Sequence, residues 1–312
     1  MHRADLSPAP SWVRPAATLI RHLPAGRYRI INRICRQPPR IFLTNLPRES
    51  GGYSFQCDLR DAIAREVCFT GRYEPQETAL IRAILRPGMS FVDVGANWGY
   101  FTLVAAHLVG REGRVISFEP DPRLFPILQE NIDDNELDQV TALQIAVADQ
   151  TGTLTLAGYD EATGNFGLSR LVSSNTVTSN MFCVATRPLD SVLEELNLEF
   201  IDLLKMDIEG AEGLALNGLE RALSNLRIGR LLLELHPSQL AEHGQSVEEV
   251  ISHLQDHGYQ AWAVDHSHAA TRLAAYSKQI EARTLLRAFN VRRDLKEWPH
   301  LLWVMPGLEP LP

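Results

Sequence analysis

The chain has 312 residues, 45% of them hydrophobic and 22% charged, enough to bury one full α/β core with elements to spare. No run of about eighteen apolar residues offers a membrane span, and Cys35, Cys57, Cys68 and Cys183 lack the C-x-x-C spacing of a zinc knot or the density of a disulfide framework, as fits a reducing cytoplasm. The net charge of −8 conceals a basic start: residues 1–48 carry nine arginines against the single acid Asp5.

That start could touch an anionic membrane surface, but without lysine clusters or interleaved aromatics it is not expected to bind nucleic acid. It reads as an arm or cap over residues 1–52, ahead of a main domain at 53–312. Trp12 to Leu23 is broken by Arg14, Pro15 and Arg21, so no signal peptide is expected and the location expected is cytoplasmic. Farther on, Thr78 to Leu85 has helical periodicity that Pro87-Gly88 stops. Strands are expected at 90–94, 114–118, 140–147, 201–206, 230–235, 260–264 and 302–305. Helices are expected at 98–109, 122–135, 209–223 and 246–257, the last with Ser246 and Glu249 as a capping box. This alternation predicts a doubly wound, mostly parallel, seven-stranded α/β sheet with its ligand at the carboxyl ends of the strands.

The first strand carries the clearest chemical signal. Phe91 to Phe101 is an apolar strand that ends in Asp93 and turns through Gly95 and Gly99 into a helix with free N–H groups at its start. Asn97 fills the middle glycine of a dinucleotide G-x-G-x-x-G fingerprint. The resulting G-x-x-x-G behind an acid suits S-adenosylmethionine, a cationic amino-acid-bearing ligand, better than a diphosphate. Glu119, at the end of the second strand, is placed to accept both hydroxyls of an unphosphorylated ribose, with Pro120 opening the next helix. A plain tight turn and a solvated strand-end acid are the bland readings, and each weakens beside the other.

A polar stretch at 157–182, with Gly164-Asn165-Phe166-Gly167 and Ser173-Ser174-Asn175, reads as a lid. Beyond it, the fourth strand delivers Lys205, Asp207, Glu209 and Glu212 to one tip, and the fifth adds Glu234 and His236. Helix-start acids account for Glu209 and Glu212 but less well for Asp207 and Lys205. Three carboxylates there need positive charge nearby. Asp207, Glu209 and Glu234 could hold magnesium, yet Lys205 and the helix dipole already compensate, so a metal-free site is expected. His266 and His268 read as solvated loop residues.

Together these segments resemble the FkbM family of S-adenosylmethionine-dependent methyltransferases over roughly residues 55 to 305. The resemblance is carried by Tyr73-Glu74-Pro75 with Glu77, Phe91 to Phe101, Phe118-Glu119-Pro120, Asn131, Ala146-Val147-Ala148-Asp149, Leu189-Asp190-Ser191, Leu204 to Glu212 and Glu234-Leu235-His236. Trp98, where a smaller aliphatic residue is common, departs from the pattern and would reshape the cofactor rim. The resemblance implies a Rossmann-like class I methyltransferase fold and a cofactor held by Glu74, Asp93, Gly95, Asn97, Gly99, Glu119, Pro120, Val147, Ala148, Asp149 and Asp207. It also implies methylation, usually at oxygen, of a small-molecule, sugar or natural-product acceptor. Lys205, Asp207, Glu209 and His236 are the catalytic candidates, with Asp207, Glu209 and His236 open as bases. A nicotinamide-dependent oxidoreductase shares the fold but wants the missing glycine, and a non-catalytic scaffold would not need the intact polar set.

Overall fold

A computed structural model describes residues 8–34, 41–160, 162, 164–172, 180–277, 280–295 and 298–312. Strands β1 (Ile41–Asn45) and β2 (Ser54–Asp58) form an antiparallel hairpin. The expected boundary at 52/53 therefore falls inside one hairpin. The helix Val13–Arg21 that precedes it sends Val13, Ala17 and Ile20 into the same core as Phe55, Leu80 and Leu103. Its Arg21 guanidinium donates to the Cys68 carbonyl at 3.0 Å. The described part of the start is thus packed against the main body: Arg14 stays exposed, while Arg21 and the buried Arg27 reach inward, Arg27 over the Tyr276 ring.

The central sheet is built from β3 (Ser90–Val94), β4 (Arg114–Phe118), β5 (Val140–Leu143), β10 (Leu203–Met206), β11 (Arg230–Glu234), β12 (Gln260–Val264), β13 (Leu286–Ala288) and β14 (His300–Val304). Its order is β13, β12, β14, β11, β10, β3, β4, β5. The five strands from β11 to β5 run parallel, and β14, β12 and β13 are joined antiparallel at the other edge. Seven of the eight strands were expected; the eighth is the three-residue edge strand β13. Strands β3 and β10 are buried along their whole length, as parallel strands covered by helices on both faces must be. In their register Lys205 lies opposite Asp93, which sets a cation and an acid side by side at the centre of the sheet.

The stretch expected as one strand at 140–147 divides. Val140–Leu143 pairs with β4, while β6 (Ala146–Val147) leaves for a second sheet with β7 (Gly152–Ala157), β8 (Arg170–Val172) and β9 (Met181–Arg187). The stretch expected as loop at 157–182 therefore includes strand β8 and the start of β9. Ser173, Ser174 and Asn175 lie outside the described residues. The helix expected at 209–223 starts late, at Glu212, and breaks at Gly218, whose missing side chain leaves room for the Ala148 carbonyl; a Cβ there would stand 2.2 Å from it.

Candidate active site

A cleft opens at the carboxyl ends of β3, β4 and β10, with β6 on its far side. Its floor is the turn after β3. Gly95 (φ +88) passes so close to β10 that a Cβ would stand 2.0 Å from the Asp207 carbonyl oxygen, so no other residue fits. Asn97 also takes the left-handed conformation (φ 52) and caps itself, its Oδ1 accepting from the Trp98 N–H at 2.8 Å. These two left-handed residues and Gly99 delay the helix to Tyr100. Gly95 and Asn97 line the cleft; Gly99 instead packs on Leu128 behind it.

Glu119 and Pro120 form the facing wall. Each Glu119 oxygen is already aligned: Oε2 accepts from the Asn97 N–H at 2.7 Å and Oε1 from the Asp121 N–H at 2.8 Å. Burial nevertheless pushes its pKa up to about 8, the two N–H donors opposing. Asp93 sits deeper, wholly buried and off the cleft wall. One of its oxygens accepts from the Thr102 hydroxyl at 2.7 Å, while the other has no hydrogen-bond partner. Val147 lines the far side, but Ala148 is buried beyond the lining and Asp149 is exposed, because the chain there already turns out of β6 toward β7. Trp98 does stand at the rim, buried, its ring stacked 6.4 Å from Phe166, which in turn stacks 4.2 Å from Tyr159.

The acidic tip follows. Asp207, Lys205 and Glu209 line the cleft, with Lys205 Nζ 3.3 Å from Asp207 and 4.7 Å from the centre of the Phe101 ring. Burial opposes the Lys205 ammonium, but Asp207, Glu74 and Asp93 outweigh it and hold the pKa above the ordinary lysine value. Burial likewise opposes the Asp207 carboxylate, and Lys205 with His236 brings it below the usual range. Glu209, left-handed at φ 52, is pushed up to about 7 by burial, with the nearby Asp207 and Glu212 charges adding to the effect. His236 lies just behind. Its Nδ1 is 2.9 Å from the fully buried Glu212, and its Nε2 faces Glu209 and Glu234 at 3.5 Å each and Asp207 at 4.0 Å. Burial lowers such an imidazole's pKa, but Glu212, Asp207 and Glu209 bring it up to about 9.

Glu74 is not at the cleft. It lies, left-handed at φ 42, in a second small cavity behind Lys205 and Asp207, with Glu77, Glu234 and His300. Burial pushes it up to about 7 and Glu234 up to about 10, neighbouring carboxylates adding in both cases. Glu77 there accepts from His266 Nε2 at 2.7 Å and His300 Nδ1 at 3.1 Å. His266 is exposed, as expected, but it also has partners: its ring stacks on His300 at 3.9 Å and lies against the buried Glu77 carboxylate. Asp207, Glu234 and His236 bring ligand-capable atoms within 4.8 Å of one another. Tyr73, named above only as part of a motif, lines the cleft, as do three residues that the sequence did not single out: Ser169, Arg170 and Leu171. Only their place inside the suspected lid hinted at the last three.

Residues 93–261 match the family described as the Methyltransferase FkbM domain. The chain belongs to the FkbM methyltransferase domain family. It is 31% identical over 200 residues to the 31-O-demethyl-FK506 methyltransferase FkbM of Streptomyces tacrolimicus, covering 56% of this chain and 74% of that one. It is 28% identical over 209 residues to the AMB antimetabolite synthetase AmbE of Pseudomonas aeruginosa, covering 57% of this chain but only 10% of that relative's length. Among solved structures, a methyltransferase FkbM from Methylobacillus flagellatus aligns with a TM-score of 0.39 at 18% identity, over 77% of this chain and 52% of that one.

Proposed function

We propose that the protein is an S-adenosylmethionine-dependent methyltransferase that methylates oxygen on a small-molecule or sugar acceptor. The observation that carries the reading is Glu119, whose two oxygens are aligned by backbone N–H groups on the wall of the cleft floored by Gly95 and Asn97. Gly95, Asn97, Glu119, Pro120 and Val147 would hold the cofactor. What favours oxygen is that the relative FkbM is a 31-O-demethyl-FK506 methyltransferase. When bound, the cofactor supplies a methyl group on a sulfonium leaving group, so the protein's work is alignment and water exclusion.

The acid cluster divides that work. Glu209, pushed up to about 7, is matched to accept a proton from an acceptor hydroxyl near neutral pH. His236, at about 9, keeps its own proton and serves to position Glu209 and Asp207. Lys205 is a fixed charge that orients Asp207. The test is to titrate S-adenosylmethionine and NAD into the protein, then incubate with methyl-labelled S-adenosylmethionine and host extract. Saturable S-adenosylmethionine binding, no NAD binding and a labelled ether or ester are expected; NAD binding without label transfer would overturn the reading. Methyl transfer is expected to survive chelator treatment. Loss of turnover restored by magnesium would instead place a metal among Asp207, Glu234 and His236.

A further inference from the structure

Away from the cleft, three side chains meet between two helices. His253 and His257 stand one turn apart at the end of the helix Val247–Asp256, their rings stacked at 5.1 Å. Glu220, from the helix Glu220–Ser224, faces both: Oε2 is 3.0 Å from His253 Nε2 and Oε1 is 3.0 Å from His257 Nε2. The tautomer of His257 is set independently. Its Nδ1 is 2.8 Å from the His253 carbonyl oxygen, which only accepts, so the proton sits on Nδ1. Its Nε2 then faces a carboxylate oxygen at hydrogen-bond distance, a spacing that either a shared proton or a metal cation between the two atoms satisfies. The Ser224 hydroxyl, 3.2 Å from the same nitrogen, has one proton and cannot serve both Nε2 and the carboxylate.

We propose that Glu220, His253 and His257 form a binding site for a first-row divalent transition cation, zinc being the natural occupant. Two imidazoles with one carboxylate suit zinc rather than magnesium or calcium, which prefer all-oxygen sets. Zinc with ligands at roughly 2.0–2.1 Å in a tetrahedron separates them by roughly 3.3 Å, close to the two 3.0 Å spacings. The fixed Nδ1–H of His257 is the outer hydrogen bond that orients a metal-binding imidazole. A cation is also favoured at a helix C-terminus. The trio Glu77, His266 and His300 makes the contrast: there both imidazoles can donate to one carboxylate oxygen, and no cation is required. Zinc at Glu220 would staple the two helices and act on stability, not on turnover.

The experiment titrates zinc chloride into the full chain by calorimetry at pH 7.5, with cobalt as a spectroscopic probe, against Glu220→Gln, His253→Ala and His257→Ala. One equivalent of zinc is expected, with affinity reduced at least on the order of tenfold in each variant, a zinc-dependent rise in melting temperature lost in the variants, and unchanged methyl transfer. Absence of zinc binding, or binding that persists in the His253→Ala/His257→Ala double variant, would overturn the proposal. So would proton and nitrogen NMR showing His257 doubly protonated at that pH with zinc present. Glu220 is exposed and both imidazoles are partly so, and circular dichroism is the check that each variant folds.

Discussion

Glu119 shows how much of a site one residue can carry. Its carboxyl is buried and pushed up to about 8, and a diol donating to it would favour the ionised form. Binding S-adenosylmethionine should therefore release a proton below that pH, and affinity should rise as pH rises through about 8; calorimetry in buffers of different ionisation enthalpy reads both. Removing the charge-assisted contact with Glu119→Ala should cost about 1.5–3 kcal/mol, a tenfold to hundredfold loss. Unchanged affinity would show that the ribose is not held there. Glu209→Gln should lower turnover on a hydroxyl acceptor by about 10²–10⁴ and abolish the rise of kcat through about pH 7. A carboxylate acceptor, already ionised, would lose neither. Residues such as Glu119 were legible from sequence because strand, turn and acid are contiguous. His300 was not: its role arises from a partner 223 residues away, and no local pattern encodes such a meeting.

At the scale of elements, the parallel strands were readable because an all-buried strand followed by glycine and an acid has few other uses, and β3, β4 and β12 fall on their expected residues. The hairpin β1–β2 and the second sheet escaped for a physical reason. Strands β1 and β7 are half-exposed, so their burial pattern does not separate them from loop. The suspected lid belongs to that sheet. Residues 165, 167 and 169–171 line the cleft, the Phe166 N–H donates to Asp61 at 2.8 Å, and the Ala62 N–H donates to the Gly164 carbonyl at 2.8 Å. The segment is thus pinned at its start and walls the site at its end, as a water-excluding cover should be. Phe166→Ala removes the ring between Trp98 and Tyr159 and should cut methyl transfer more than cofactor affinity, with faster hydrogen exchange across 164–172. Equal exchange with and without ligands, and normal turnover, would mean that the cover plays no part.

At the scale of the whole molecule, the buried acids predict how stability varies with pH. Glu74 and Glu209 at about 7, Glu119 at about 8 and Glu234 at about 10 are all raised by burial above the ordinary 4.5, and His236 at about 9 is raised above 6.5 by its carboxylate partners against burial. Each such group binds its proton more tightly folded than unfolded. Its contribution is therefore complete below the unfolded pKa and is lost as pH rises through the folded one. For the carboxyls the loss begins near 4.5, and for His236 near 6.5, so all five windows overlap between about pH 6.5 and 7, with Glu119, Glu234 and His236 still losing above it. On the acid side Glu77 and Asp207, both lowered, act in the opposite sense and lose their contribution as pH falls below the ordinary carboxylate range. Stability should thus peak near about pH 5 and decline toward pH 9, with a slope of about 1.4 kcal/mol per pH unit for each extra proton held by the fold. Thermal melts across that range read the slope directly. Glu234→Gln, which is neutral in both states, should flatten it, since the carboxyl that costs most to ionise is gone. A melting temperature that climbs from pH 6 to pH 9 would mean that these acids are already ionised in the fold, and a bound cation would then be the physical means of keeping them so.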